Sequence, residues 1–158
     1  MVQWTCCAVE RGFPVMCRLR ILLPLFLLLS VYAERTLADG HLVLVASAAS
    51  PISTVTLDQA RKLYLGAPLL SEGKAIVPLR NTSDALLQEV FMQRVMHMAT
   101  ATYERQILNR VFRSGGQRPP VYTTDRELVE ALDGNPLAIS YMWKETSLAT
   151  QGIKIIGE

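Results

Sequence analysis

The chain has 158 residues, 50% of them hydrophobic, with 16 Lys and Arg against 14 Asp and Glu for a formal charge of +2. That near-balance excludes the strongly basic surface on which nucleic-acid binding rests, and the length allows one domain with one core behind any leader. All three cysteines, Cys6, Cys7 and Cys17, precede Leu19, so the rest of the chain holds no disulfide framework and no thiolate metal site.

Residues Leu19–Ala33 (LRILLPLFLLLSVYA) form an apolar run behind Arg18 and Arg20. Its uninterrupted core, Ile21–Val31, contains Pro24 and is shorter than the ~20 residues a membrane-spanning helix needs. A basic flank, a short apolar stretch and small residues after it are the layout of a secretory signal peptide. Val31-Tyr32-Ala33 and Thr36-Leu37-Ala38 both offer the small-residue cleavage pattern, and Met16 is an alternative start. The expectation is a leader over residues 1–38 and a periplasmic or secreted domain over residues 39–158, the alternative being a retained N-terminal anchor. Removing Arg11, Arg18, Arg20 and Arg35 leaves 12 of the 16 basic residues, and removing Glu10 and Glu34 leaves 12 of the 14 acidic ones. The exported domain is formally neutral, which again speaks against nucleic acid.

His41–Ala46 (HLVLVA) is short and rich in β-branched residues, as a buried strand is. A small-residue loop, Ser47–Ser53, follows. Thr56 with Gln59 three residues on is a capping box, after which Leu57, Ala60, Leu63 and Tyr64 share one helical face and Gly66 stops the helix. After a turn at Ser71–Lys74, Ala75–Leu79 reads as a second strand, with Pro78 marking an edge or an end. A long helix is predicted over Ser83–Met98, burying Leu86, Leu87, Val90, Phe91, Val95 and Met98, and another over Thr102–Phe112 with Ile107, Leu108, Val111 and Phe112. Ser114-Gly115-Gly116 stops it and Pro119-Pro120 leads away. Thr124–Glu127 is a second capping box opening a helix to Leu132, and Leu137–Met142 and Ile153–Ile156 are the last two strands. Alternating strands and helices predict an α/β fold: a three-layer sandwich with a mixed, mostly parallel sheet flanked by helices.

The chemistry concentrates at Arg80, Asn81, Thr82 and Ser83, which a buried strand delivers to a helix start. Free N–H groups and the dipole make such a start an anion seat, and an arginine fork matches oxyanions. Ser47 and Ser50, in the loop after the first strand, are the second candidate contribution, since open α/β sheets bind ligands at the carboxyl ends of strands. Each also has a plainer role: Arg80 covering the sheet edge and pairing with Asp84, Asn81–Ser83 capping the helix, Ser47 and Ser50 closing a loop. His41 and His97 have no second ligand at metal spacing, and Gly115-Gly116 lacks the lysine of a nucleotide loop. No nucleophile–base–acid arrangement or paired carboxylates appear, so the expectation is a binding protein rather than an enzyme, without metal or cofactor.

The segments VASAASPIS, LDQARKLYLG, AIVPLR, the VF of QEVFMQRV, VFRSGGQRPP and LAISY, in that order and spacing, resemble the short, single-lobe relatives of phosphate ABC transporter substrate-binding proteins, of the type 2 periplasmic binding fold. The resemblance covers nearly all of residues 39–158. It implies one lobe of that fold, weak binding of phosphate or a similar small oxyanion, and a membrane transporter or sensor subunit as a possible partner. The family places an arginine shortly before a serine-glycine-threonine turn. This chain keeps Arg80 and Ser83, lacks the glycine, and has Asp84 next. Those departures, and the second lobe for which the chain leaves no room, favour the alternative of a ligand-free interaction module docking on a membrane sensor or transporter subunit.

Overall fold

The computed structural model of the protein describes residues 40–158, so the leader, its cleavage points and the three cysteines lie outside the described residues. The strands are β1 (Leu42–Ser47), the hairpin β2 (Leu70–Ser71) and β3 (Lys74–Ala75), β4 (Val77–Pro78), β5 (Arg80–Asn81), β6 (Val121–Tyr122), β7 (Ala138–Trp143) and β8 (Ile153–Gly157). The helices are α1 (Leu57–Tyr64), α2 (Ala85–Phe91), α3 (Thr100–Ser114), α4 (Asp125–Gly134) and α5 (Lys144–Ala149). A π-helical turn, Met92–Met96, continues α2.

Every residue of β1 is buried, because both faces of the strand are covered. Leu42, Leu44 and Ala46 point to one side, where Ala60, Leu63 and Tyr64 of α1, Leu87 and Phe91 of α2, and Tyr103 and Ile107 of α3 pack on them. Val43 and Val45 point to the other, against Leu128 and Leu132 of α4. Period-two alternation within one strand thus builds two cores and three layers.

The central sheet has the order β4-β7-β1-β8 and is mixed, as expected. Its balance differs from the expected parallel majority: β4 runs parallel to β7, whereas β1 is antiparallel to both β7 and β8. A strand buried on both faces reads as the same apolar run in either direction, so the run LVLVA carried no direction. A separate two-stranded parallel ladder joins β5 to β6, Arg80 opposite Val121 and Asn81 opposite Tyr122.

Local signals explain most of the boundaries. Thr56 Oγ1 accepts from the Gln59 N–H at 3.2 Å while Gln59 Oε1 accepts from the Thr56 N–H at 2.9 Å, the reciprocal box that starts α1. At α4, Thr124 accepts from Glu127 N–H at 3.3 Å. α1 ends in a Schellman motif, with the N–H groups of Gly66 and Ala67 on the carbonyls of Leu63 and Lys62. Gly66 has φ +94°, and a Cβ there would fall on the Arg110 guanidinium, which donates to Leu65 O at 3.2 Å. The expected strand Ala75–Leu79 is divided between β3, which pairs with β2, and β4, which pairs with β7 and ends at Pro78, a residue with no N–H to continue a ladder. The predicted helix from Ser83 begins instead at Ala85, capped by Asp84, and widens at Met92. Leu87, Phe91 and Val95 are buried as expected and the π turn adds Met92 and Met96, while Leu86, in the first turn of α2, is exposed. On α3 the buried face is Tyr103 and Ile107, and Leu108 and Phe112 are exposed.

Candidate functional site

β5 is held from behind by tyrosine hydroxyls. Tyr64 of α1 donates to Leu79 O at 2.7 Å, and Ser140 of β7 donates to the same carbonyl at 3.0 Å. Tyr141 donates to Asn81 O at 2.8 Å, and Tyr103 donates to Tyr64 O at 3.2 Å. Their rings pack with Phe91, which stacks on Tyr141 at 3.7 Å between centroids and meets Tyr64 edge-on at 4.9 Å. Burial pushes the Tyr103 hydroxyl up to about 12 and those of Tyr64 and Tyr141 well above the ordinary tyrosine value. They stay protonated, as donors to carbonyls must.

Arg80 emerges from this support into a buried position, its side chain 7% exposed. Its guanidinium carbon lies 5.1 Å from the Tyr103 ring centroid, and Nη1 is 2.6 Å from Oε1 of Glu104 on α3. Arg118, from the loop before β6, binds the other oxygen of that carboxylate. The plainer expectation paired Arg80 with Asp84. The partner is Glu104, and the Nε–H of Arg80 is buried with no hydrogen-bond partner among the described residues.

The next residues are engaged with the chain itself. Asn81 is fully buried, its Nδ2 donating to Tyr141 O at 3.2 Å and Asp125 Oδ1 at 3.3 Å, and its Oδ1 accepting from Ser83 N–H at 2.9 Å. Thr82 Oγ1 donates to Tyr122 O at 3.0 Å, and Ser83 Oγ donates to Asp125 Oδ1 at 2.8 Å. Asp84 caps α2, accepting from Leu86 N–H at 2.8 Å and from Trp143 Nε1–H at 2.7 Å. The Trp143 hydrogen bond, with backbone donors from Leu86 and Leu87, holds its carboxyl below the ordinary aspartate value. The start of α2 therefore already carries an anion, the chain's own Asp84.

Ser47 and Ser50 sit elsewhere. Ala46 and Pro78 both stand opposite Ile139, and from that level β1 and β4 leave in opposite directions. The segment Arg80–Ser83 lies at one end of the sheet and Ser47–Ser50 at the other. Ser47 Oγ donates to Asp133 Oδ1 at 3.3 Å, and Ser50 Oγ accepts from Ile52 N–H at 3.2 Å. The structure brings Arg80, Asn81, Thr82 and Ser83 together and keeps Ser47 and Ser50 apart from them. Glu104, Arg118 and Asp125 join the first group without having been singled out from sequence. Arg118 stood within the segment VFRSGGQRPP, but pairing across elements leaves no local pattern.

Among the described residues no cluster of three or more His, Cys, Asp and Glu is placed to hold a metal, and no helix is long and apolar enough to cross a membrane. Searches with the sequence match no protein-family model and no curated protein. Solved structures do match in shape. A putative phosphate ABC transporter substrate-binding protein with bound phosphate from Clostridium perfringens aligns with a TM-score of 0.56 and 14% identity, over 74% of this chain and 44% of that one. An ABC-type phosphate transport receptor from Vibrio cholerae gives 0.54 and 12%, over 74% and 45%. A possible phosphate binding protein from Planctomyces limnophilus gives 0.52 and 13%, over 75% and 42%. What is shared is the fold. The chain spans under half the length of these proteins. These structural neighbours are named as transport and binding proteins rather than enzymes.

Proposed function

We propose that the domain is an exported, non-enzymatic solute-binding-like protein that holds phosphate or a similar small oxyanion weakly, anchored by Arg80 beside Asn81, Thr82 and Ser83. The observation that carries this reading is the buried Arg80 guanidinium, whose Nε–H has no partner among the described residues. A buried donor without a partner costs about 1–3 kcal/mol, a deficit that an oxyanion would remove. The fold shared with phosphate-binding proteins supports the same ligand class. Ser47 and Ser50, at the far end of the sheet, stay outside the proposed seat. Because Glu104 already compensates the arginine, affinity is expected on the order of micromolar to millimolar. Export rests on the leader pattern of residues 1–38.

Calorimetry with phosphate, sulfate and molybdate on the wild type, Arg80→Lys and Arg80→Ala tests the reading. Loss of heat in both variants is expected. No heat with any anion at millimolar concentration, or unchanged binding by a folded Arg80→Ala, overturns it.

A second reading has its own observation. Phe112 is 80% exposed and Leu108 43%, one turn apart on α3, a pair that an interaction module would bury on a transporter or sensor subunit. Pull-down from solubilised membranes by the wild type and not by Phe112→Glu is the expected result; equal capture by both sinks it.

A further inference from the structure

We propose that the carboxylate of Glu104 is a built-in occupant of the anion seat, and that a tetrahedral dianion binds by displacing it from between Arg80 and Arg118. This rests on the oxyanion reading above and places the seat on the flank of α3, away from the Asp84-capped start of α2.

Two guanidinium groups converge on one carboxylate from different parts of the fold. Arg80 reaches Oε1 from β5, and Arg118 reaches Oε2 from the loop before β6. Such a two-sided clamp serves sulfate or phosphate oxygens as well as carboxylate oxygens. A carboxylate has only two oxygens, and here each is claimed by a different arginine. The Arg80 Nε–H is left over and buried. A tetrahedral anion brings more oxygens to the same clamp than the two that a carboxylate offers. Charge gives the same answer. With Glu104 in place the three groups sum to one positive charge; with Glu104 withdrawn, two positive charges face the ligand, matching a dianion.

Mobility is distributed as displacement requires. The Arg80 side chain is 7% exposed and packed over Tyr103, so it stays. Glu104 is 33% exposed and Arg118 52%, so the carboxylate can rotate into water and the loop arginine can follow the ligand. Arg118 also lines a cleft of about 230 Å³ between α1, α3 and the loop, space into which its side chain can swing.

The test titrates sodium sulfate and sodium phosphate into the wild type, Glu104→Gln and Arg118→Ala, with circular dichroism to verify folding. Glu104→Gln should bind both anions at least tenfold more tightly than the wild type, and Arg118→Ala at least tenfold more weakly than Glu104→Gln. Formate, with two oxygens and one charge, should bind Glu104→Gln at least tenfold more weakly than sulfate; equal affinity overturns the tetrahedral assignment. In nitrogen-15 spectra of the wild type, the Arg80 Nε–H signal should move on adding sulfate. A folded Glu104→Gln that binds no better than a binding-competent wild type overturns the displacement and leaves the oxyanion reading standing. No binding by any of the three proteins overturns both. Should Glu104→Gln fail to fold, an Arg80 Nε–H signal unmoved at anion concentrations that saturate the wild type overturns the proposal.

Discussion

The two ends of the sheet are both rich in hydroxyls and charges, and they use them differently. At the Ser47 end, hydroxyls and carbonyls are used up one by one: Ser50 Oγ accepts from Ile52 N–H two residues on, Ser47 Oγ donates to Asp133, and Lys154 Nζ donates to Ser50 O at 2.6 Å. At the Arg80 end, Asn81, Ser83 and Asp84 are tied to Asp125, Tyr141 and Trp143, residues far along the chain. The first end mixes a local turn bond with long-range ones and buries no cation among the described residues. The second is a hydrogen-bonded frame around a buried cation whose Nε–H has no partner among the described residues. A loop of serines after a strand is thus a weak pointer to a ligand, whereas a buried cation held by long-range bonds is a stronger one.

The largest blow to the Arg80 end should come from Tyr141→Ala. It removes a ring stacked on Phe91 and a donor to Asn81 O, and should cost about 3–5 kcal/mol in denaturant unfolding. Tyr141→Phe, which strands only the carbonyl, should cost about 1–3 kcal/mol. A loss under 0.5 kcal/mol for the alanine variant would mean that the frame does not depend on this ring.

Alkali should attack the same end. Tyr64, Tyr103 and Tyr141 are held protonated in the folded state beyond the ordinary value near 10. Their contribution is intact below about pH 10 and is lost as the pH climbs through the raised values, that of Tyr103 being about 12. A melting temperature that is flat from pH 8 to pH 11 would contradict this.

A smaller effect is expected at Asp84. Replacing it with Ala should cost about 0.5–2 kcal/mol through the lost cap. Its lowered carboxyl makes the opposite prediction in acid: the contribution is present above the ordinary value near 3.9 and disappears as the pH falls through the lower folded one. The difference in stability between wild type and Asp84→Asn should therefore shrink below about pH 4. The smallest change belongs to the other end. Ser47→Ala should cost less than about 1 kcal/mol and leave anion binding untouched. A tenfold drop in phosphate affinity for that variant would erase the distinction between the two ends.

Much of the fold was legible because its signals are local. The Thr56–Gln59 box, the glycine after Leu65 and the buried LVLVA run each specify an element without reference to the rest of the chain. Strand direction was not legible, since the apolar run is the same either way, and that single ambiguity put Ser47 and Ser50 beside Arg80 on paper. The partner of Arg80 was hidden for a related reason. Glu104 lies on another helix, where an acidic residue beside Tyr103 looks like any solvated helix charge. The π turn had no signature in MQRVM that distinguishes it from ordinary helix.

The carbonyl of Leu79 accepts from Tyr64 on α1 and Ser140 on β7 together, which uses both of its lone pairs. Neither element can peel away without leaving that buried oxygen half-satisfied, so the two are joined as one cooperative unit. The Leu79 amide, which donates to Ile139 O, and the Arg80 amide, which donates to Pro120 O, should then exchange with solvent deuterium at the rate of global unfolding, while the β2–β3 hairpin opens on its own.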